Sequence, residues 1–191
     1  LIMTHGAGAP INSLVLNYFQ TELKKHSFNV HAFNFAYMQK IIELNKRRPP
    51  ERVDKLKIQF AAEIQPTAGS TNIAGKSMGG RVATLLAADR AYDHLNIDHV
   101  FVWGYPFFAP KKDTPRTDHF KDIRAQVHIF QGTRDTFGKP EQINVLDLPE
   151  NIHIYWIEGA DHDFKILKRL NISTQDTISR ICKKMEDIVK K

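Results

Sequence analysis

The sequence predicts an α/β protein with a mostly parallel central sheet and helices on both faces. Short apolar runs alternate with helical apolar stripes from one end of the chain to the other, the pattern of strands joined by crossover helices. Polar and glycine-rich clusters follow directly after several of those runs, where an open parallel sheet carries its ligands. No repeat, low-complexity tract or linker interrupts the alternation, so residues 1–191 read as one domain, long enough to bury a proper core.

Leu1 to Thr4 reads as a buried strand ending in His5-Gly6-Ala7-Gly8-Ala9-Pro10. Ile11 to Lys25 places Ile11, Leu14, Val15, Tyr18 and Leu23 at helical spacing. Asn29 to Phe35 alternates around Val30, Ala32 and Phe33 as a second strand. Met38 to Ile64 is polar and basic, with a helix expected to start near Pro50 and run through Val53, Leu56, Phe60 and Ile64, proline suiting a first turn. Asn72 to Ala74 is a strand and Ser77 to Arg90 a helix; His99 to Trp103, Gln126 to Phe130 and Ile152 to Ile157 complete about six strands. An amphipathic helix from Thr174 closes the chain. The opening run Leu1-Ile2-Met3, without an initiator methionine, suggests that further residues lie upstream.

Composition narrows the partners. Hydrophobic residues make up 42% and charged residues 25%, ordinary for a globular chain. No apolar run nears the roughly 20 residues of a membrane span, and no signal-peptide pattern opens the chain. The single Cys182 excludes an internal disulfide and fits a reducing compartment, so the cytoplasm is expected. It falls in the stripe Ile178, Ile181, Cys182, Met185 and reads as a small buried hydrophobe. A net charge of +6 invites a nucleic-acid reading, but the basic residues are scattered in twos and threes without interleaved aromatics, which argues against it.

The most informative stretch is Ile73-Ala74-Gly75-Lys76-Ser77-Met78-Gly79-Gly80-Arg81. It reads as strand, sharp turn and helix, with Ser77 at the apex and glycines on both sides to prevent backbone clashes. A serine capping the following helix is the plainer alternative. Four polar residues stand just past strand ends: His5, Ser77, Asp135 and His162. In a parallel sheet those positions converge on one edge.

Together, His5-Gly6-Ala7-Gly8, Gly75-Lys76-Ser77-Met78-Gly79-Gly80-Arg81, Gly104-Tyr105-Pro106, Gly132-Thr133-Arg134-Asp135 and Gly159-Ala160-Asp161-His162 resemble the α/β-hydrolase superfamily. The resemblance covers nearly the whole chain and is strongest to a small, dienelactone-hydrolase-like branch with testis-expressed and chromatin-complex-associated relatives. The order Ser, Asp, His is that of these enzymes. The resemblance implies Ser77 as nucleophile in a nucleophile elbow, His162 as its base and Asp135 as the acid that orients the imidazole. It implies an oxyanion hole from the backbone N–H of Met78 and that of Ala7. It also implies a cofactor-independent serine esterase acting on a small-molecule ester, thioester or similar acyl substrate.

Other residues carry paired readings. Asp161 and Asp163 compete with Asp135 for the acid role, although neighbours of a residue point away from it along an extended chain. His5 either meets the substrate or only braces its turn, and Lys76 either contacts an anionic substrate group or pairs with a nearby acid. Phe107, Phe108 and Phe137 are candidates for an apolar wall beside Ser77. Arg81 reads as a structural ion-pair partner, and His128 and His153, inside strands, as structural. The segment from Phe107 to Thr117 is too short for a large lid, so an open site without one is expected.

Two motifs are set aside. Gly69 to Ser77 nearly matches a phosphate-binding loop, but its first glycine is one residue too far away and no strand precedes it. Asp161-His162-Asp163 lacks partners at ligand spacing, so no metal is expected. A non-catalytic interaction protein on the same fold, binding an acidic partner through its basic surface, is the alternative function.

Overall fold

Alternation along the strands decides which helices cover which face. The computed structural model describes residues 1–65 and 69–190. Its strands are β1 (Ile2–Thr4), β2 (His31–Phe33), β3 (Thr71–Lys76), β4 (Ile97–Trp103), β5 (Gln126–Gly132) and β6 (Ile152–Ile157), in the order β2-β1-β3-β4-β5-β6. Every pairing is parallel. The helices are α1 (Leu14–Lys25), α2 (Ala36–Leu44), α3 (Val53–Ala62), α4 (Met78–Ala88), α5 (Pro140–Ile143) and α6 (Thr174–Val189).

Ile73, Val100, Val102, Val127 and Ile129 face one side of the sheet, where they pack with Tyr37 and Met38 of α2, Leu56 and Phe60 of α3, and Val82, Ala83 and Leu86 of α4. Ala74, Phe101, Trp103 and Phe130, their strand neighbours, face the other side. There they meet Leu16, Phe19 and Leu23 of α1 and Ile178, Ile181, Cys182 and Met185 of α6. Phe19 stacks on Trp103 with ring centroids 3.9 Å apart. The period of two along each strand thus produces two cores, one on each face of one sheet. Cys182 is fully buried in the second, and burial pushes its thiol pKa up.

Three differences from the expected elements have local causes. Helix α2 was not anticipated, because Lys40, Lys46, Arg47 and Arg48 mask the short face Tyr37, Met38 and Ile41 that packs on the first core. The helix expected to start near Pro50 begins at Val53, and strand β2 is confined to His31–Phe33. The six strands otherwise fall where the apolar runs place them, β6 at Ile152–Ile157. Ser173 begins α6 through a capping box with Asp176, its hydroxyl accepting the Asp176 N–H at 3.0 Å. Among the described residues no helix is long and apolar enough to cross a membrane.

Candidate active site

Strand β3 ends at Lys76 and α4 starts at Met78, so the chain reverses direction within one residue. That residue, Ser77, takes φ 52° and ψ −114°, a conformation costly for any residue with a Cβ. The turn closes only because glycines let backbone meet backbone. A Cβ on Gly75 would run into the backbone of Gly79 and Gly80, and one on Gly79 into the carbonyl of His5. Ser77 N–H donates to Trp103 O at 3.0 Å, fastening the elbow to the end of β4. Its side chain makes no helix-capping bond, which removes the plainer reading of Ser77 as a cap.

His162 lies in the segment after β6, and Asp135 in the turn after β5. His162 Nε2 is 2.9 Å from Ser77 Oγ, and His162 Nδ1 is 2.7 Å from Asp135 Oδ2. Three side chains from three strand ends therefore form one hydrogen-bonded chain. Asp135 is fully buried, yet its carboxylate is well supplied with donors: Phe137 N–H donates to Oδ1 at 2.8 Å and Gln131 Nε2 to Oδ2 at 3.0 Å. A buried carboxylate is tolerable only when its lone pairs are filled in this way. The Phe137 ring lies against the His162 imidazole, centroids 4.6 Å apart, and limits how far it can swing.

The competing acids are engaged elsewhere. Asp161 Oδ1 accepts the N–H groups of Asp163 and Lys165, closing its own turn. Asp163 Oδ1 is 3.3 Å from Lys76 Nζ. Lys76 is almost fully buried beside this carboxylate, and burial lowers its pKa against the opposing pull of Asp163, Asp135 and Asp161. Of its two readings, pairing with a nearby acid is the one this contact fits.

Two expectations are corrected. His5 is fully buried: its Nε2 accepts the Phe35 N–H at 3.1 Å, which leaves Nδ1 to donate to Gly6 O at 2.6 Å. Burial lowers its pKa, in keeping with a neutral ring. It braces the turn after β1 and presents no surface to a substrate. Phe107 is likewise fully buried, its ring packed edge-on against Tyr105 with centroids 4.8 Å apart, because the chain turns inward after β4. Phe137 is half-buried, with its ring against His162.

The turn after β1 approaches the elbow closely: a Cβ built on Gly6 would lie 3.4 Å from Ser77 Cβ. Ala7 is exposed, and its carbonyl is held by the Tyr37 hydroxyl at 3.1 Å. Met78 is the first residue of α4, where backbone N–H groups lack an intrahelical acceptor. Both amides are thus on the edge of the sheet that carries Ser77. Among the described residues, no group of three or more His, Cys, Asp or Glu is placed to hold a metal ion.

Gln131 escaped sequence reasoning. It is fully buried at the end of β5, accepts Tyr105 N–H at 2.8 Å and donates to Asp135 Oδ2. A polar residue at the last inward position of an apolar strand, four residues before the aspartate, was the available signal.

A serine at a sharp strand-to-helix turn, linked through a histidine to a buried aspartate at the strand ends of a parallel sheet, is the arrangement of the α/β-hydrolase class. The chain belongs to that family: residues 1–190 match the alpha/beta hydrolase domain. No curated protein matches the sequence. Among solved structures, the monoacylglycerol lipase of Paleococcus ferrophilus is similar with a TM-score of 0.66 at 15% identity, over 97% of this chain and 93% of that one. Est1E from Butyrivibrio proteoclasticus gives 0.64 at 15% identity, over 100% and 88%. The Pyrococcus furiosus esterase Pf2001 gives 0.64 at 17% identity, over 94% and 77%. At these identities the likeness is one of fold.

Proposed function

We propose that this chain is a serine hydrolase that cleaves a small ester, thioester or similar acyl substrate through an acyl-enzyme on Ser77. The observation that carries the reading is the unbroken chain Asp135–His162–Ser77, with contacts of 2.7 and 2.9 Å. A serine hydroxyl is a weak nucleophile at neutral pH until a base takes its proton. Here His162 Nε2 receives that proton as Ser77 Oγ attacks the acyl carbon. Asp135 holds the imidazole with Nδ1–H directed at its carboxylate and stabilises the imidazolium that forms.

The tetrahedral oxyanion is met by the N–H groups of Met78 and Ala7, each such donor contributing about 3 kcal/mol to the transition state. His162 then gives its proton to the leaving oxygen or sulfur, and the carbonyl re-forms as Ser77 acyl ester. Water attacks that ester with His162 again as base, releasing the acid and restoring Ser77. The fixed hydrogen bonds of Asp135 and the bracing of His5 support the reading, since both cut the reorganisation needed during reaction. That the similar structures include an esterase and a monoacylglycerol lipase points the same way.

Short 4-nitrophenyl esters and acyl thioesters test it. Turnover is expected for the wild type, and its loss is expected for Ser77→Ala. A folded wild type inert to the whole series would favour the second reading, an interaction protein on this fold.

A further inference from the structure

Beside α4, a surface cavity of ≈ 460 Å³ is lined by Arg81, Lys112, Thr114, Arg116 and His119, with Asp118 as its one carboxylate. Neither Arg81 nor Arg116 has a carboxylate partner among the described ion pairs, so the ion-pair role expected for Arg81 is not what the structure shows. Arg81 Nε is buried without a hydrogen-bond partner among the described residues. An unsatisfied buried donor on a charged group is costly and calls for an explanation.

The two guanidiniums also sense each other. Burial and the charge of Arg81 hold the Arg116 pKa below the ordinary arginine value. His119 contributes no further charge: burial and Arg81 lower its pKa to about 4, and its Nε2 is 2.9 Å from Thr84 Oγ1. The loop bearing Arg116 is fastened in place. Tyr105 Oη donates to Arg116 O at 2.7 Å, Arg116 N–H donates to Phe107 O at 2.8 Å, and Phe108 pairs with Pro115 across an antiparallel bridge. Two forked cations are thus held together in a built cavity against mutual repulsion.

The geometry points to an oxyanion-binding site: Arg81 and Arg116 hold the carboxylate or phosphate group of a ligand, with the exposed Lys112 adding charge. Paired guanidiniums suit such groups because their forked N–H donors match two oxygens at once, and the ligand's charge relieves the Arg–Arg repulsion. The site does not depend on Ser77 being a nucleophile. Arg81 lies four residues along α4 from Ser77, about 6 Å of helical rise, so the acid group belongs either to the substrate or to a separate ligand.

Inorganic phosphate titrated into the full chain by calorimetry at low ionic strength is the test. Saturable binding is expected, and Arg81→Gln or Arg116→Gln should weaken it about tenfold or more, the loss of a charge-assisted hydrogen bond. Thermal unfolding checks that each variant is folded; the half-exposed Arg116 serves if Arg81→Gln is not. Ser77→Ala should bind as the wild type does, which separates this site from the hydrolase reading. Binding that is absent, or unchanged in both arginine variants, overturns the proposal. The source of the acid group follows from kinetics. Phosphate that competes with an ester bearing a carboxylate but not with 4-nitrophenyl acetate assigns the site to the substrate. Phosphate that binds yet competes with neither assigns it to a separate ligand.

Discussion

Lys76 Nζ lies 3.3 Å from Asp163 Oδ1, so the residue before Ser77 is paired with the residue after His162. The elbow and the histidine segment are joined twice, once by the Ser77–His162 hydrogen bond and once by this ion pair. The two partners differ sharply in exposure: the Lys76 side chain is 8% exposed and that of Asp163 56%.

That asymmetry predicts unequal substitutions. Asp163→Ala leaves a buried ammonium without its nearest counter-charge and should destabilise strongly, whereas Lys76→Met frees a carboxylate that water already reaches and should cost little. Because the folded-state pKa of Lys76 is lowered, the native chain binds fewer protons than the unfolded chain as pH rises toward 10.5. Stability therefore gains from this residue across that alkaline window. Urea unfolding followed with pH should show the gain in the wild type and its absence in Lys76→Met.

Asp135 and Gln131 should separate chemistry from positioning. Asp135→Asn keeps the fold's shape but favours the wrong imidazole tautomer, and kcat on 4-nitrophenyl acetate should fall by about 10⁴. Gln131→Leu removes the Nε2 donor to Asp135 and leaves Tyr105 N–H without its acceptor. It should cost roughly 1–3 kcal/mol per orphaned group, measured by urea unfolding, with kcat reduced more than KM changes.

Acid sensitivity should come from buried neutral histidines. His128 stands between His99 and His153 across β4, β5 and β6, and burial with the nearby His99, His153 and Lys184 lowers its pKa to about 3. Its ordinary value is 6.5, so below that pH the unfolded chain binds the extra proton first. Stability is full above 6.5 and is lost as pH falls toward the folded-state value. His128→Phe, stacked in the same place against Phe101, should remove one proton's share of that slope in unfolding measured against pH.

The sheet was legible because apolar runs such as Ile152 to Ile157 have no helical alternative of similar length. The convergence of Ser77, Asp135 and His162 was legible because a parallel sheet puts successive strand ends on one edge. Helix α2 was not, since its apolar face spans only a few residues between basic ones. The inward burial of His5 and Phe107 was not legible either: His5 is the first residue after β1 and Phe107 the fourth after β4, where chain direction alone decides between site and core. Gln131 was hidden because its partners are a carboxylate in the turn that follows and the backbone of Tyr105 on another segment.

Ser77 as a nucleophile activated by His162 is the step on which the proposed chemistry turns. It is checked by incubation with a fluorophosphonate probe followed by mass analysis of the modified peptide. One adduct is expected, on Ser77, lost in Ser77→Ala and slowed by orders of magnitude in His162→Ala. A folded wild type that takes up no probe, or an adduct at another residue that survives Ser77→Ala, would contradict it.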